Sequence, residues 1–389
     1  MSQLLESRWT ETKDALLEGL QGNKRTVMAT TLENTRKYLA ESATAGATSA
    51  GNVATLNRVI LPVIRRVMPT VIANELVGVQ PMTGPVGQIH TLRVRYADAF
   101  DSTSGTDTTA GDEALSPFKI AEGYSGAAND KAASTAALEG VAGNRLSIQI
   151  LKQTVEAKTR KLSARWTFEA AQDAQAQQGI DIEAEIMAAL AQEITAEIDQ
   201  EVLASLSNLA GTVLTYDQNT VSGTATFVGD EHAALAVQIN RTANLIAQRT
   251  RRGAGNWAVV SPTTLTILQS ATTSAFARTT EGTFEAPTNT KFVGTLNSAM
   301  RVYVNGYATS DDVLVGYKGS SESDAAAFYC PYIPLMSSGV VLDPSTFEPV
   351  VSFMTRYGYV ELTNTASSLG NAADYLGKVA VTTANLKFA

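Results

Sequence analysis

The side chains able to do chemistry are few, and their spacing limits each of them. His90 and His232 are the only two histidines, and neither stands in a pattern that supplies the three or four ligands of a zinc site. Glu231-His232 lacks the second histidine of a zinc-protease helix, so His232 is expected near a helix start, facing solvent. RRGAGN (251–256) contains Gly-x-Gly but follows a helical pattern and leads into a strand, the reverse of a phosphate-cradling loop. Gly253 is read instead as a helix end, with Arg249, Arg251 and Arg252 opposing the negative end of the helix dipole. GYSGAA (123–128) lacks the spacing of a nucleophile elbow.

Asp101, Asp107, Asp112 and Glu113 are oxygen donors of the kind calcium takes, but they match no ion-binding loop, and a solvated polar loop is the leading reading. Glu185, Glu193, Glu197 and Glu201 form a wet helix face or meet basic neighbours. Cys330, the lone cysteine, sits in an apolar run and is read as core; it excludes an internal disulfide framework and fits a reducing compartment. No nucleophile, base and oxyanion group converge. The chain does not read as an enzyme, and no metal or cofactor is expected.

The elements that would position these residues follow from periodicity. Leu5, Trp9, Leu16 and Leu20 make one helical stripe, and Met28, Thr31, Leu32, Thr35 and Leu39 a second. The small-residue stretch ESATAGATSAGN (41–52) then makes these helices a tethered arm. From Val59 to Ile72 helical spacing persists but is broken by Pro62 and Pro69. Leu92, Val94 and Tyr96 alternate as in a half-buried strand, as do Leu146, Ile148 and Ile150, and again Leu162, Ala164 and Trp166.

The strongest signal spans 181–211, where Ile182, Ile186, Leu190, Ile194, Ile198, Val202 and Leu206 recur every fourth residue between a capping Asp181 and Gly211. A helix follows, with Leu235, Ile239, Ala243 and Ile246 inward, then a buried strand at NWAVVSP and a helix beginning at Pro262. Strands dominate from Arg301 onward.

Bulk composition agrees with a folded chain. In 389 residues, 44% are hydrophobic and 17% charged, and the formal net charge of -8 argues against coating nucleic acid directly. No apolar run reaches the roughly 18 residues of a membrane span, and the charged N-terminus does not read as a secretory signal. One segment is anomalous. Between Asp101 and Gly143 the large apolar side chains are Leu115, Phe118, Ile120, Tyr124, Leu138 and Val141, too few to offset the entropy of ordering the segment by itself. Flanked by strands, it reads as a long hairpin-like excursion ordered against another copy of the chain.

Four long blocks carry a resemblance: LPVIRRVMPTVIANELVGVQPMTGPVGQIHTLRVRY (61–96), KLSARWTFEAAQDAQAQQGIDIEAEIMAALAQEITAEIDQEVL (161–203), RVYVNGYATSDDVLVGYKGSSESDAAAFYCPYIPLM (301–336) and FEPVVSFMTRYGY (347–359). In this order they resemble the major capsid proteins of T-even-like tailed bacteriophages, over most of the chain after about residue 56. The resemblance implies an α+β, HK97-like capsid fold. Its parts would be an N-terminal arm (1–55), connector helices (56–91), an extended loop (92–166), a peripheral domain (167–224) with a spine helix (181–211), an axial domain (225–340) and return strands of the peripheral domain (341–389).

It further implies a virion protein that self-assembles into hexameric capsomers of an icosahedral head enclosing double-stranded DNA. Assembly would take place in the host bacterial cytoplasm, with vertex, portal, scaffold and decoration proteins as candidate partners. Tyr96, Phe100, Phe118 and Leu138 are expected to anchor the extended loop on neighbouring subunits, since they have no evident local core to join. Leu4-Leu5-Glu6 and Leu16-Leu17-Glu18 resemble maturation-cleavage sites of the family. Competing readings are a pentameric vertex protein, a nanocompartment shell of the same fold, and an α/β enzyme with a glycine-rich lid.

Overall fold

The computed structural model describes residues 9–45, 71–101, 107–114, 123–126, 132–178, 181–221, 228–271, 276–278, 291–362 and 372–382, except 11–12, 113, 179–180, 212, 251, 298, 323 and 347. Residues 13–17 are helical and precede α1 (Gly22–Ala45), the single-turn α2 (Ala73–Leu76) and β1 (Gly78–Val79). β2 (Val86–Tyr96) and β3 (Leu146–Glu156) flank a second single turn, α3 (Thr135–Leu138). Next come β4 (Lys158–Arg165), α4 (Phe168–Gln178), α5 (Ile182–Leu209), β5 (Val213–Tyr216), α6 (Val228–Thr250), β6 (Trp257–Val260) and α7 (Pro262–Ser270). The chain continues through β7 (Phe276–Arg278), β8 (Lys291–Leu296), β9 (Met300–Val304), β10 (Val313–Gly316), β11 (Ala327–Ser337), β12 (Val341–Leu342), β13 (Pro349–Glu361) and β14 (Leu376–Val381).

α5 forms where the fourfold apolar recurrence requires it. The Asp181 side chain caps it by accepting the Glu183 N–H at 3.1 Å, and Leu190, Ile194, Ile198, Val202 and Leu206 are buried. Gly211 serves a different purpose from the expected helix stop: a Cβ there would lie 2.6 Å from the Ala373 carbonyl, so close backbone approach selects glycine. The buried stripe packs on a mixed sheet in the order β1-β11-β13-β12, with β4 paired to β13. β13 alternates, turning Val351, Phe353 and Tyr357 into the core shared with α5. β4 is fastened to α5 by Arg160, which donates to Glu197 at 2.7 Å, to Glu201 at 2.6 Å and through Nε to the Tyr357 hydroxyl at 2.6 Å.

A second core lies under the seven-stranded sheet β5-β14-β10-β6-β9-β8-β7. α6 covers it with Leu235, Ile239, Ala243 and Ile246, all buried as their spacing requires. Ser261 caps α7 by accepting the Thr264 N–H at 3.1 Å, with Pro262 in the first turn. His232 departs from expectation. It is 2% exposed, and its Nδ1 sits 2.6 Å from Ser270 Oγ. That hydroxyl gives its proton to the Ile267 carbonyl, so the ring joins α6 to α7 as a staple.

The arm finds its surface on the chain itself. Val27, Met28 and Leu32 of α1 enter the core beside α5, while Asn34 donates to the carbonyls of Met82 (2.6 Å) and Tyr332 (3.0 Å). Leu16 and Leu17 are buried too, so the motif Leu16-Leu17-Glu18 is held by packing; Leu4-Leu5-Glu6 lies outside the described residues. The proline-interrupted stretch from Val59 to Val67 also lies outside them.

Sheet membership cuts across the expected segment boundaries. β2 begins at Val86, ahead of position 92, and β4 belongs to the five-stranded sheet although it falls within 92–166. β11 joins that same sheet despite falling in 225–340, whereas β5 and β14, from segments assigned to the other domain, complete the seven-stranded one. Strands buried on both faces read alike in sequence, so apolar content alone does not say which sheet receives them.

Candidate inter-subunit surface

The segment with too few apolar residues rides on a two-stranded ribbon. β2 and β3 pair antiparallel without a break from Val86↔Glu156 to Tyr96↔Leu146. At the root, Val155 packs with Met82, Phe328 and Cys330, so the ribbon is anchored on the face of the sheet away from α5. Burial there pushes the Cys330 thiol up to about 11, which leaves it protonated and inert, as a core residue should be.

At the far end the structure supplies what sequence reasoning missed. Tyr96, Ala114 and Tyr124 form a small buried cluster, with Val94 and Phe100 packed against it. The rings of Tyr96 and Tyr124 lie 4.6 Å apart, and Phe100 meets Tyr124 edge-on at 6.0 Å. The Tyr124 hydroxyl donates to the Arg145 carbonyl at 2.8 Å and accepts from the Asp98 N–H at 3.2 Å. Asp98 in turn accepts from the Arg145 N–H (2.8 Å) and guanidinium (3.0 Å), bonds that hold its carboxyl below the usual range. Residues 111, 112 and 114 bond to the end of β2, through Tyr96 N–H to the Asp112 carbonyl, Gly111 N–H to the Tyr96 carbonyl and Ala114 N–H to the Val94 carbonyl.

This corrects the premise behind two of the four expected anchors. Tyr96 is buried and Phe100 half-buried in a core local to the ribbon, so neither is left without partners inside its own chain. Phe118 lies outside the described residues. Leu138, on α3, is exposed, as is Val141 beyond it.

The side chains that do lack cover are others. Leu146, Ile148 and Ile150 stand 56%, 68% and 66% exposed on one face of β3, opposite Tyr96, Val94 and Leu92 in register. Their alternation is visible in the sequence and reads there as a half-buried strand; the missing information is that the described residues cover the β2 half of that face, over Tyr96 and Val94, and leave the β3 half exposed. Among the described residues nothing pairs with the outer edge of β3 either. An apolar ribbon with an unpaired edge is a template for association.

Elsewhere the chemistry is sparse. Among the described residues no group of three or more His, Cys, Asp or Glu could hold a metal ion, and no helix is long and apolar enough to cross a membrane. A polar cleft lies between α5 and the seven-stranded sheet, and the hairpin takes no part in it. Gln200 and Asn305 exchange hydrogen bonds there at 2.8 and 3.1 Å, and Lys378 pairs with Asp312 at 2.7 Å. These groups are satisfied by one another.

The family described as Major capsid protein Gp23 matches residues 53–381. The major capsid protein of Vibrio phage KVP40 is 30% identical over 84% of this chain and 80% of its own length, and that of Enterobacteria phage T4 is 32% identical over 82% and 78%. Among solved structures, one from Mycobacterium phage Bobi aligns with 80% of this chain and 90% of its own at 13% identity, TM-score 0.48; the capsid of Myoviridae Phage XM1 aligns at 9% identity, TM-score 0.43, over 80% and 92%. With the family match spanning most of the α+β body and relatives of 30–32% identity aligned along more than four-fifths of its length, the chain belongs to the Gp23 family of major capsid proteins.

Proposed function

We propose that the chain is the principal wall subunit of a tailed-phage head, forming hexameric capsomers that tile an icosahedral shell around double-stranded DNA. The observation that carries this reading is the β2–β3 ribbon. It has an aromatic cluster at its far end and an anchored root, yet its β3 carries exposed apolar side chains and an outer edge that pairs with no described residue. A ribbon so built gains stability when a neighbouring copy covers it, and repeated contacts of this kind make the large obligate interfaces of a shell. On this reading the ribbon is the extended loop, the five-stranded sheet with α5 the peripheral domain, and the seven-stranded sheet the core of the axial domain. Leu138 and Val141 extend its contact surface, joined by Phe118.

The role is structural, not enzymatic, and assembly proceeds in the host bacterial cytoplasm. A net charge of -8 keeps packaged DNA from adhering to the wall and requires no sequence-specific contact. Portal, vertex, scaffold and decoration proteins are its expected neighbours. Electron microscopy and sedimentation of the purified full-length chain test this. Hexamers, sheets, tubes or shells are expected as concentration rises. A species that stays monomeric at every concentration and ionic strength refutes the reading, and exclusive pentamers would reassign it to vertices.

A further inference from the structure

The apolar stripe of α5 contains a carboxylate. Asp199 is fully buried; its Oδ1 accepts the Ile72 N–H at 2.8 Å, and its Oδ2 has no hydrogen-bond partner. That bond fastens the start of α2 to the long helix. The short segment it holds, 72–79, is also where the rest of the molecule meets. Lys24 of α1 and Arg301 of β9 share Glu75, at 2.6 and 3.4 Å. Lys318 donates to the Asn74 carbonyl at 2.9 Å, Asn23 to the Val79 carbonyl at 3.2 Å, and Glu322 accepts the Val79 N–H at 3.0 Å. β1 lies parallel to β11. Arm, long helix and both sheets therefore pull on one junction.

We propose that Asp199 is a proton-operated latch on this junction: neutral, it keeps 72–79 closed on α5, and ionised, it lets the segment lift and loosens the coupling between arm and sheets. The groups facing it explain why it titrates. From β11 comes the phenol of Tyr329, itself kept protonated by burial first and by neighbouring negative charge second. From the junction comes only the Ile72 N–H, Glu75 being engaged by Lys24 and Arg301. On α5, Thr195 donates to the Ala191 carbonyl, and Glu201 is bound by Arg160 and Tyr357. Among the described residues no cation balances the Asp199 charge. Burial holds its carboxyl up at about 7, against an ordinary 3.8, and the single N–H bond only partly offsets this.

The sign follows from linkage. With the junction closed, Asp199 binds a proton that it releases when opened to water, throughout the interval between its ordinary value and about 7. Opening is therefore favoured by about tenfold for each pH unit gained in that interval, and the dependence levels off above it.

Hydrogen exchange on the full-length, unassembled chain reads this directly and does not depend on shell formation. Protection of the 72–79 amides, corrected for intrinsic exchange, should fall by about a hundredfold from pH 5 to pH 7 and then flatten. Asp199→Asn keeps the carbonyl acceptor and should remove the slope, leaving the junction protected at pH 8. Asp199→Leu removes the acceptor and should lower protection equally at every pH. Amides of α6, in the other core, should show no slope. A flat wild-type profile, a slope that survives Asp199→Asn, or an equal slope in α6 would overturn the latch.

Discussion

Replacing Leu146, Ile148 and Ile150 together by serine tests the exposed ribbon most severely. Burying an aliphatic side chain completely is worth about 1.5–3 kcal/mol, and these three keep 56–68% of their surface in water. Covering them on association then contributes roughly 1–2 kcal/mol each, or about 4 kcal/mol per ribbon before the cost of ordering partner side chains. Losing it weakens the contact by about a thousandfold, at about 1.4 kcal/mol per factor of ten. Folding of the single chain gains little from side chains that stay mostly in water, so its stability should change by no more than three exposed substitutions allow, within about 0.5 kcal/mol each. Sedimentation velocity over a concentration series gives the first quantity and thermal unfolding of the dissociated chain the second. The reasoning fails if the assembly threshold stays where it is in the triple variant, or if stability and assembly fall together.

Tyr124→Phe removes the hydroxyl joining Asp98 to Arg145 but keeps the ring, and should cost about 1–2 kcal/mol of local order, seen as faster proteolysis near residues 98–145 with the global midpoint nearly unchanged. Arg160→Met strips α5 of its link to β4 and leaves Glu197, Glu201 and the Tyr357 hydroxyl without their shared donor. A loss of about 1–3 kcal/mol in denaturant unfolding is expected. The Cys330 thiol, buried with its pKa pushed to about 11, should resist a maleimide in the folded chain at pH 8 and react in full once urea unfolds it.

What the sequence disclosed depended on whether the cause was local. α5, α6 and α7 were legible because periodic burial and caps at Asp181 and Ser261 are written into neighbouring residues. β2 and β3 were legible as flanking strands for the same reason. The cluster of Tyr96, Phe100 and Tyr124 was not, since it depends on a chain reversal with no hydrophobic pattern of its own. Asp199 carries no mark in the sequence that sets it apart from the acids of the wet face, and its burial appears only once β11 and the 72–79 segment pack over it. His232 was misread because α6 starts at Val228, which turns the ring inward against Ser270. In the surface itself, the useful signal lies in Ile148 and Ile150, whose alternation reads as a half-buried strand because it reports that one face is apolar and says nothing about what covers it.

The asymmetry of the ribbon's two borders bears on how copies accumulate. Residues 111, 112 and 114 bond the β2 side at Val94 and Tyr96, while among the described residues nothing bonds the β3 side. Where that open border grips a different patch on the next copy the contact runs one way, and copies joined so follow one another in procession. Such a procession ends in a ring when the turn per step divides a full circle, and otherwise continues as a helix or tube.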